Sequence, residues 1–529
     1  MSRFVRASKY RHVFGQSGKK DHGFENVKVT GSAWDANVIS ASAEYISVNW
    51  NASGGGAFAI LPLPSPFVAH PSLPYKLPDS LPLARSHTAP VLDTEWSPHD
   101  DSLVASAGED GNVMIWKVSA DVFEGWGAEG WVPKDFEPVW RIDASPRKVG
   151  QVLFHPTAEN VLASASGEHL VKLWDLARTE DPQLVLYGHT DTIQSIAFSA
   201  TGTFLATTCK DRKLRIFDSR AGGDAVRAVD GHGGMKGARV TWMGDLGKIA
   251  TTGFSKMSER QVGIWDVGQG LANEKTMALD QSAGVVMPFW SDNNILFLAG
   301  KGDGNIRYYE YESSSLYALS EYKSSEPQRG MCFLPRRALN IGECEIARAY
   351  KVHASSIEPI AFIVPRKADS FQSDIYPPAP AKEPSVTASE YFSGRGEVKR
   401  KFVDLETGKT VTSSGGASPV PTKTATAPIP APALIAPSFS QPASASTPTA
   451  PPMTTSRSYS QPEPTPVRKE ITPPASVKIP APASPVDDTE NAQLKAELRE
   501  AREKIRNLEL QLEATKANAK KAAEALLNV

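Results

Sequence analysis

Five pairs of an acidic residue and an aromatic residue six positions later recur at intervals of 43 to 58 residues, and this repetition constrains the fold most. The pairs are Asp110 and Trp116, Glu168 and Trp174, Asp211 and Phe217, Glu259 and Trp265, and Asp303 and Tyr309. Successive aromatic residues lie 58, 43, 48 and 44 positions apart, which is about the length of one four-stranded unit. Because a carboxylate can accept hydrogen bonds from the turn before a strand, the spacing predicts repeated β-hairpins.

The repeats also carry residues that begin and end a WD40 repeat. His87 and the Gly-His dipeptide at 188–189 stand at the start of repeats, and Trp-Asp pairs at 174–175 and 265–266 stand at the end. The pattern resembles the WD40 family, in which the His, Asp and Trp join a Ser or Thr in a buried hydrogen-bond network. We therefore interpret these residues as structural and not as a catalytic His-Asp pair. Five marked blades, with one atypical blade at each end, predict an all-β, seven-bladed WD40 β-propeller.

The propeller is predicted to span residues 1–367. A strand at Tyr10–Phe14 is expected to pair with the last blade and close the ring, which removes an exposed edge. Residues 24–63 are expected to supply the four strands of the first blade, and 326–367 the last blade. The segment 118–140 lengthens the first interval, and we interpret it as an insertion between blades that folds back onto the propeller.

Composition excludes several classes of function. The net charge of −2 over 529 residues gives no global preference for nucleic acid or membranes. Three cysteines, Cys209, Cys332 and Cys344, form no C-x-x-C motif, which favours a reducing compartment. No apolar segment has the length of a membrane span, so we expect a cytoplasmic protein without a transmembrane segment. No nucleophile elbow, phosphate-binding loop or metal-ligand spacing is present, and we expect no catalytic residue, no cofactor, no metal and no enzymatic activity.

Several longer segments resemble the coronin family. They are SKYRHVFG (8–15), ASGGGAFAILPL (52–63), TTGFSKMSERQVGIWD (251–266), GKGDGNIRYYE (300–310), KSSEPQRGM (323–331), CEIARAYK (344–351) and VPRKADSFQSDIYP (364–377). The resemblance covers about residues 1–400. It implies a propeller with a C-terminal extension packed against it, a variable linker and an oligomerising coiled coil. It also implies binding to actin filaments in cortical structures and modulation of the actin-related protein complex that nucleates branches, together with cofilin.

The C-terminal third changes composition twice. Residues 368–402 still hold aromatic side chains that need burial, and they resemble the extension. Residues 403–488 are rich in Pro, Ala, Ser and Thr. Such a segment cannot bury enough apolar surface to offset its ordering entropy, so the sequence predicts a disordered linker.

Residues 489–529 carry a heptad pattern and are predicted to form a parallel coiled coil. Positions d are Leu494, Ala501, Leu508, Thr515 and Ala522, and positions a are Leu498, Ile505, Leu512, Ala519 and Leu526. The segment KIRNLE, from Lys504 to Glu509, resembles a trimer motif in which Arg precedes the apolar a residue. Because Lys cannot make the bidentate contact of Arg, a trimer is favoured but a dimer or tetramer stays open. A single amphipathic helix that docks on a partner is the alternative.

Basic residues near the N terminus are the predicted actin contact. They are Arg3, Arg6, Lys9, Arg11 and Lys28. The resemblance assigns an actin contact to an Arg of the first blade, and Lys28 stands at that position, which keeps the charge but not the planar guanidinium. Alternatively, the N-terminal cations only keep a closing strand soluble. For the charges in SKMSERQ and KSSEPQR, buried pairing and exposed binding both stay open. The alternative function is a WD40 peptide-binding adaptor in vesicle traffic or signalling.

Overall fold

Short antiparallel strands that pair with their neighbours in sequence build the fold. The computed structural model describes residues 6–32, 36–53, 55–63, 74–126, 128, 130–367, 370–395 and 398–412. The chain divides into two units, Met1–Thr424 and Ala425–Val529, and all described residues belong to the first. Within them, seven sheets of four or five strands follow one another along the chain. This arrangement confirms the predicted all-β, seven-bladed propeller.

The first two strands in the chain, β1 (Phe14–Ser17) and β2 (Phe24–Glu25), belong to the last blade. Blade 1 consists of β3 (Ile39–Ala41), β4 (Tyr45–Trp50), β5 (Gly56–Pro62) and β6 (Leu83–His87). Blade 2 consists of β7 (Val91–Trp96), β8 (Leu103–Gly108), β9 (Asn112–Lys117) and β10 (Pro138–Asp143). Blade 3 consists of β11 (Val149–Phe154), β12 (Val161–Ser166), β13 (Val171–Asp175) and β14 (Leu184–Leu186).

The remaining blades have the same antiparallel order. Blade 4 consists of β15 (Ile193–Phe198), β16 (Phe204–Cys209), β17 (Lys213–Asp218) and β18 (Arg227–Asp230). Blade 5 consists of β19 (Arg239–Trp242), β20 (Lys248–Phe254), β21 (Arg260–Asp266) and β22 (Ala272–Asp280). Blade 6 consists of β23 (Val286–Ser291), β24 (Ile295–Gly300), β25 (Ile306–Glu312) and β26 (Ser315–Tyr322). Blade 7 consists of β27 (Gln328–Phe333), β28 (Glu345–His353), β29 (Ser356–Ile363) and the N-terminal β1.

Strand β1 pairs with β29 in antiparallel register, from Phe14 opposite Ile363 to Ser17 opposite Ile360. The predicted strand at Tyr10–Phe14 was wrong in its bounds, because residues 10–13 form a turn in which the Val13 N–H donates to the Tyr10 carbonyl at 3.0 Å. Tyr10 and Val13 are both buried. Their apolar side chains therefore anchor the turn that precedes the strand.

The first blade also differs from its predicted composition. Phe24 and Glu25 pair with Ile357 and Ser356 of β29 and so extend blade 7. The fourth strand of blade 1 is β6, which pairs with β5. The sequence pattern misassigned these strands because a two-residue strand and a five-residue strand carry too few alternating positions to show which sheet they join.

The insertion lies inside blade 2, between β9 and β10, and not between blades as predicted. It folds back on the propeller. Trp126 is buried and stacks on Phe123 and Trp131, with ring centroids 5.8 and 5.4 Å apart. The two tryptophans are therefore part of the packing of this segment.

Five residues of α-helix and four short 3-10 helices complete the described structure. The 3-10 helices are Lys20–His22, Ala120–Phe123, Arg336–Ala338 and Ile341–Glu343. Helix α1 (Ala388–Phe392) begins with a capping box, in which the Thr387 side chain accepts from the Glu390 N–H and the Glu390 carboxylate accepts from the Thr387 N–H.

The extension continues past residue 402, where the linker was predicted to begin. Strands β30 (Ala379–Pro380), β31 (Lys401–Val403) and β32 (Thr410–Thr412) form a three-stranded sheet. The Asp404 carboxylate accepts from the Glu406 and Thr407 N–H groups, and Gly408 has a φ of 67°. Because these residues specify a tight turn, the chain forms a hairpin here although its composition is polar.

The ring has an upper and a lower face, which we define by the loops that each carries. The upper face carries the loops between the second and third strands of each blade and the loops that lead into the next blade. The lower face carries the loops between the first and second strands and between the third and fourth strands. Buried Trp116, Trp174, Phe217 and Trp265 lie in the apolar layers of successive marked blades.

Candidate functional site

The buried polar network of blade 2 explains why the acid-aromatic spacing recurs. His87 Nδ1 donates to Asp110 at 3.0 Å, His87 Nε2 lies 2.8 Å from Ser106 Oγ, and Trp116 Nε1 donates to the same Ser106 oxygen at 2.9 Å. Burial opposes ionisation of Asp110, but hydrogen bonds from His87 and from the Asn112 and Thr88 N–H groups together outweigh it and lower the pKa of the carboxyl to about 2. The side chains of His87 and Asp110 are buried, so this pair holds strands together.

The network varies from blade to blade. In blade 4, His189 Nε2 lies 2.8 Å from Thr207 Oγ1. In blade 5, His232 Nε2 lies 2.9 Å from Thr251 Oγ1, which also accepts from Trp265 Nε1 at 2.7 Å. The sequence analysis did not identify His232, although the Gly-His dipeptide at 231–232 was a sufficient signal.

An arginine cluster joins blades 5 and 6. Arg260 is buried with 2% of its side chain exposed, and it lies 2.5 Å from Asp280 and 2.7 Å from Asp303. Arg307 also lies 2.7 Å from Asp280. Burial opposes ionisation of Asp280, but hydrogen bonds from Arg260, the Ser282 N–H and Arg307 together outweigh it and lower the pKa of this carboxyl to about 2. For SKMSERQ, the arginine is therefore a buried structural partner, whereas Lys256 in the same segment is exposed.

Two of the predicted cations, Arg6 and Lys9, lie on the lower face and contact the chain itself. Arg6 forms ion pairs with Glu310 and Glu312, and its guanidinium lies 4.3 Å from the Tyr317 ring centroid. Lys9 donates to the carbonyl oxygen of Asp374, and burial lowers the pKa of its amine. These contacts hold the N-terminal segment, residues 6–17, against blade 6 and the extension, and we call this segment the N-terminal clasp.

The other two predicted N-terminal contacts are Arg11 and Arg3. Arg11 is half-buried and has no ion pair with any residue that the structure describes. Arg3 lies outside the described residues. The N-terminal cations therefore do not form an exposed basic cluster within the described part of the chain.

Lys28 lies on the upper face, apart from Arg6 and Lys9. Its carbonyl accepts from the Asn51 N–H in the loop between β4 and β5. Its amine lies 3.2 Å from the Asp79 carboxylate, and 42% of its side chain is exposed. Hydrogen bonds from Asn26 and Lys28 lower the pKa of Asp79. Lys28 is thus accessible to a partner, although its amine already pairs with the Asp79 carboxylate.

The extension occupies the lower face and contacts blades 2 to 7. On blade 2, His99 Nδ1 lies 3.0 Å from the Lys382 carbonyl oxygen. On blade 3, Val386 bridges to Ala158. The other contacts are Tyr391 with Ser219 of blade 4, Arg400 with Asp245 of blade 5 and Asp292 of blade 6, and Arg336 of blade 7 with the carbonyl oxygens of Pro377 and Pro378. The extension therefore covers most of the lower face.

Three protein-family models match four parts of the chain. Residues 3–67 match a domain of unknown function (DUF1899), residues 80–117 and 180–218 match the WD domain, G-beta repeat, and residues 357–397 match a type of WD40 repeat. The crystal structure of the WD40 domain from Toxoplasma gondii coronin is similar, with a TM-score of 0.66 and 30% identity over 74% of this chain and 98% of that one.

Three curated relatives match the chain at higher sequence identity than this crystal structure does. Coronin-A of Dictyostelium discoideum is 43% identical over 77% of this chain and 87% of its own length. The chain belongs to the coronin family. Coronin-like protein crn1 of Schizosaccharomyces pombe is 48% identical over 77% of this chain, and the coronin-like protein of Saccharomyces cerevisiae is 46% identical over 74%. The match spans 65% and 59% of the length of these two yeast relatives.

The residues predicted to oligomerise this coronin lie outside the described residues. They are Leu494, Leu498, Ala501, Lys504, Ile505, Leu508, Glu509 and Leu512. The predicted trimeric coil and most of the predicted linker therefore stay predictions.

A cavity of about 620 Å³ lies where the first strands of the blades meet the coronin extension. Its wall includes Asp93 and Glu95 of blade 2, together with Glu383 and Lys401 of the extension. Burial raises the pKa of Asp93 to about 7 and that of Glu95 to about 8, and the Asp93 charge adds to the shift of Glu95. Two neighbouring carboxyls that resist ionisation make this wall less negative than its composition suggests.

Other chemical features of the described residues are few. They contain no group of three or more His, Cys, Asp or Glu side chains placed to hold a metal ion. The three cysteines are buried and free. Among the same residues, no helix has both the length and the apolar character needed to cross a membrane.

Proposed function

We propose that this coronin binds the sides of actin filaments through its propeller and cross-links them through a C-terminal coiled coil. The observation that carries the proposal is its relationship to coronins, which runs through the propeller at 43–48% identity to the three relatives named above. A closed ring without exposed sheet edges provides a rigid binding surface. The upper face, which its own extension leaves open, is the surface that supports such binding.

Lys28 is the proposed filament contact from the sequence analysis, and its position on the upper face supports that role. Exposed cations steer association with an acidic surface such as an actin filament. Arg6 and Lys9 hold the N-terminal segment on the lower face and are weaker candidates for a filament contact, because their charges already have partners in this chain.

Several copies of one weak binding face gain affinity on a repeating polymer without any new contact. The proposed coil at residues 489–529, favoured as a trimer, would supply the copies, and the linker would supply the reach. Through this assembly the protein would modulate branch nucleation by the actin-related protein complex and filament turnover with cofilin. The site of action would be the cortical actin cytoskeleton in the cytoplasm.

Filament cosedimentation of the full chain tests the proposal. Lys28→Glu should weaken binding several-fold without changing the melting temperature, because the side chain is exposed and only an exposed ion pair is lost. The matched control is Lys275→Glu, which makes the same charge change on the outer strand β22 of blade 5. Equal pelleting of Lys28→Glu and the parent protein would refute this contact.

A second variant separates the coil from the propeller. A chain that ends before Glu490 should sediment as a monomer, bind filaments more weakly and bundle them less. A truncated chain that keeps the oligomeric state of the parent would show that the coil does not oligomerise the protein. Failure of the full chain to pellet with filaments would refute the proposed function itself.

A further inference from the structure

Three loops of blades 4 and 5 meet on the upper face. They are the β16–β17 loop at 209–212, the connection between the blades at 231–238, and the β20–β21 loop at 255–259. The Gly231 N–H donates to the Arg212 carbonyl at 2.7 Å, and the Gly234 N–H donates to the Phe254 carbonyl at 2.7 Å. Backbone hydrogen bonds therefore join all three loops into one surface.

Two methionines project from these loops into solvent. Met235 is 79% exposed and Met257 is 82% exposed, the highest fractions among the large apolar residues that the structure describes. A Cβ built on Gly233, two residues before Met235, would lie 3.0 Å from the side chain of Lys256, next to Met257. The two methionines thus belong to adjacent loops and contribute nothing to the core.

The loop that carries Met257 has an ordered backbone. The Ser255 hydroxyl accepts from the Met257 and Glu259 N–H groups at 3.1 Å each, and Ser258 has a φ of 63°. Because the backbone of this turn is already ordered, a partner that covers it causes little further loss of backbone conformational entropy. This arrangement is typical of a binding surface.

Four exposed cations surround the methionines: Lys210, Arg212, Lys236 and Lys256. None of the four forms an ion pair with another residue in the described ranges. Lys236 lies over the Phe254 ring, with its amine 4.9 Å from the centroid. These cations are therefore available to a partner, unlike Arg6 on the lower face.

The acidic residues next to these cations are mostly compensated. The Asp211 carboxylate accepts two hydrogen bonds from Arg215, at 3.1 and 2.6 Å, and Asp230 pairs with Lys213 at 3.2 Å. Glu259 is half-buried and bonded to Ser255 at 3.3 Å. Asp191 is half-buried and lies next to Lys210. The surface of Lys210, Arg212, Met235, Lys236, Lys256 and Met257, which we name the methionine patch, is net positive.

We propose that the methionine patch is a second actin-filament contact, across the upper face from Lys28. This inference rests on the proposed function. Cations bracketing two flexible, polarizable side chains fit an acidic protein surface with a shallow apolar depression. Nucleic acid would be expected to meet aromatic side chains for stacking, which the patch does not offer. Two contacts on one face would let a single propeller engage two places on the filament.

The test compares two double variants of the full chain in filament cosedimentation. Lys210→Glu/Lys256→Glu should weaken binding roughly three- to tenfold at low salt, and the difference should shrink as salt screens the charges. Met235→Ser/Met257→Ser should weaken binding roughly threefold, with a salt dependence like that of the parent. The control Lys275→Glu/Lys409→Glu makes the same change in net charge at exposed positions away from the patch and should bind normally.

Each outcome decides the inference. If the parent pellets and both patch variants pellet equally well, the patch is not a filament contact, while the proposed function stands. If the parent does not pellet, the proposed function fails, and this inference fails with it. Vesicles of phosphatidylserine and phosphatidylcholine provide a second arm: a charge variant that loses vesicle binding but keeps filament binding would assign the patch to membranes and overturn the inference. Melting temperatures of all variants should match the parent, because the altered side chains are exposed.

Discussion

The two faces of the propeller differ in what their charged residues contact. On the lower face, the extension and the N-terminal segment cover the loops, and Arg6, Arg336 and Arg400 all contact acidic residues or carbonyl oxygens of this chain. On the upper face, the cations of the methionine patch have no ion pair within the described residues. The two faces thus differ in whether their cations are free to pair with another molecule, and not in how many cations a segment contains.

The largest expected effect comes from the anchor of the covered face. Tyr391 is fully buried, its hydroxyl donates to the carbonyl oxygen and Oγ of Ser219 at 3.0 and 2.7 Å, and its ring centroid lies 4.4 Å from that of His155. Tyr391→Ala should reduce the free energy of unfolding by about 3–5 kcal/mol, measured by denaturant unfolding of the full chain. If the variant loses less than about 1 kcal/mol, the extension is not an integral part of the lower face.

Tyr391→Phe is the matched control for this position. It keeps the ring between the blades and removes only the hydroxyl hydrogen bonds, so the expected loss is about 1–2 kcal/mol. A loss as large as that of the alanine variant would assign the stabilisation to the hydrogen bonds and not to the packing of the ring.

The second prediction compares two acids that bind one arginine. Arg400 donates to Asp292 at 2.8 Å and to Asp245 at 3.0 Å, and Arg336 lies 3.9 Å from the same Asp292. The Asp292 side chain is 18% exposed and that of Asp245 is 55% exposed. Asp292→Asn should cost about 2–3 kcal/mol because two buried guanidinium groups lose a counter-charge, whereas Asp245→Asn should cost less than about 1 kcal/mol.

Denaturant unfolding of both variants at the same salt concentration measures this difference. Raising the salt concentration should reduce the small effect of Asp245→Asn but not the larger effect of Asp292→Asn, because salt screens buried pairs much less than exposed ones. Equal losses for the two variants would show that burial does not set the strength of the contacts on the lower face.

The propeller could be predicted from the sequence because its signal is local. Asp110 and Trp116 lie on one hairpin, so their spacing reports directly on the turn and the strand that they occupy. The boundaries at the two ends could not be predicted so well. Strand β2 joins blade 7 through residues more than three hundred positions away in sequence, and a two-residue strand carries no pattern that indicates this partner.

The proposed binding surface was harder to predict for the same physical reason. Arg6 and Lys9 are neighbours in sequence and suggested a basic cluster, but Glu310 and Asp374, which engage them, come from distant segments. Lys210, Lys236 and Lys256 are far apart in sequence, and only the repetition of the blades brings their loops together. Hydrophobic spacing identifies the blade that carries a loop, but it does not identify which charges on that loop are already paired.

The smallest effect compares one cation from each face. Arg6 pairs with Glu310 and Glu312 and lies 4.3 Å from the Tyr317 ring centroid, so Arg6→Ala should destabilise the protein by about 1 kcal/mol. Lys256 has no such partner among the described residues, and Lys256→Ala should change the free energy of unfolding by less than about 0.5 kcal/mol. Paired thermal and denaturant unfolding of the two variants checks the difference.

Filament binding should respond to these two substitutions in the opposite order. Arg6 lies on the lower face and already has two carboxylate partners. Arg6→Ala should therefore remove no filament contact, and cosedimentation should be unchanged when equal amounts of folded protein are compared. Lys256→Ala removes one available cation from the methionine patch and should weaken binding by about twofold or less, since one exposed charge contributes little by itself. If Arg6→Ala instead weakens binding without affecting stability, the N-terminal clasp contacts the filament, and the contrast between a structural lower face and a binding upper face is wrong.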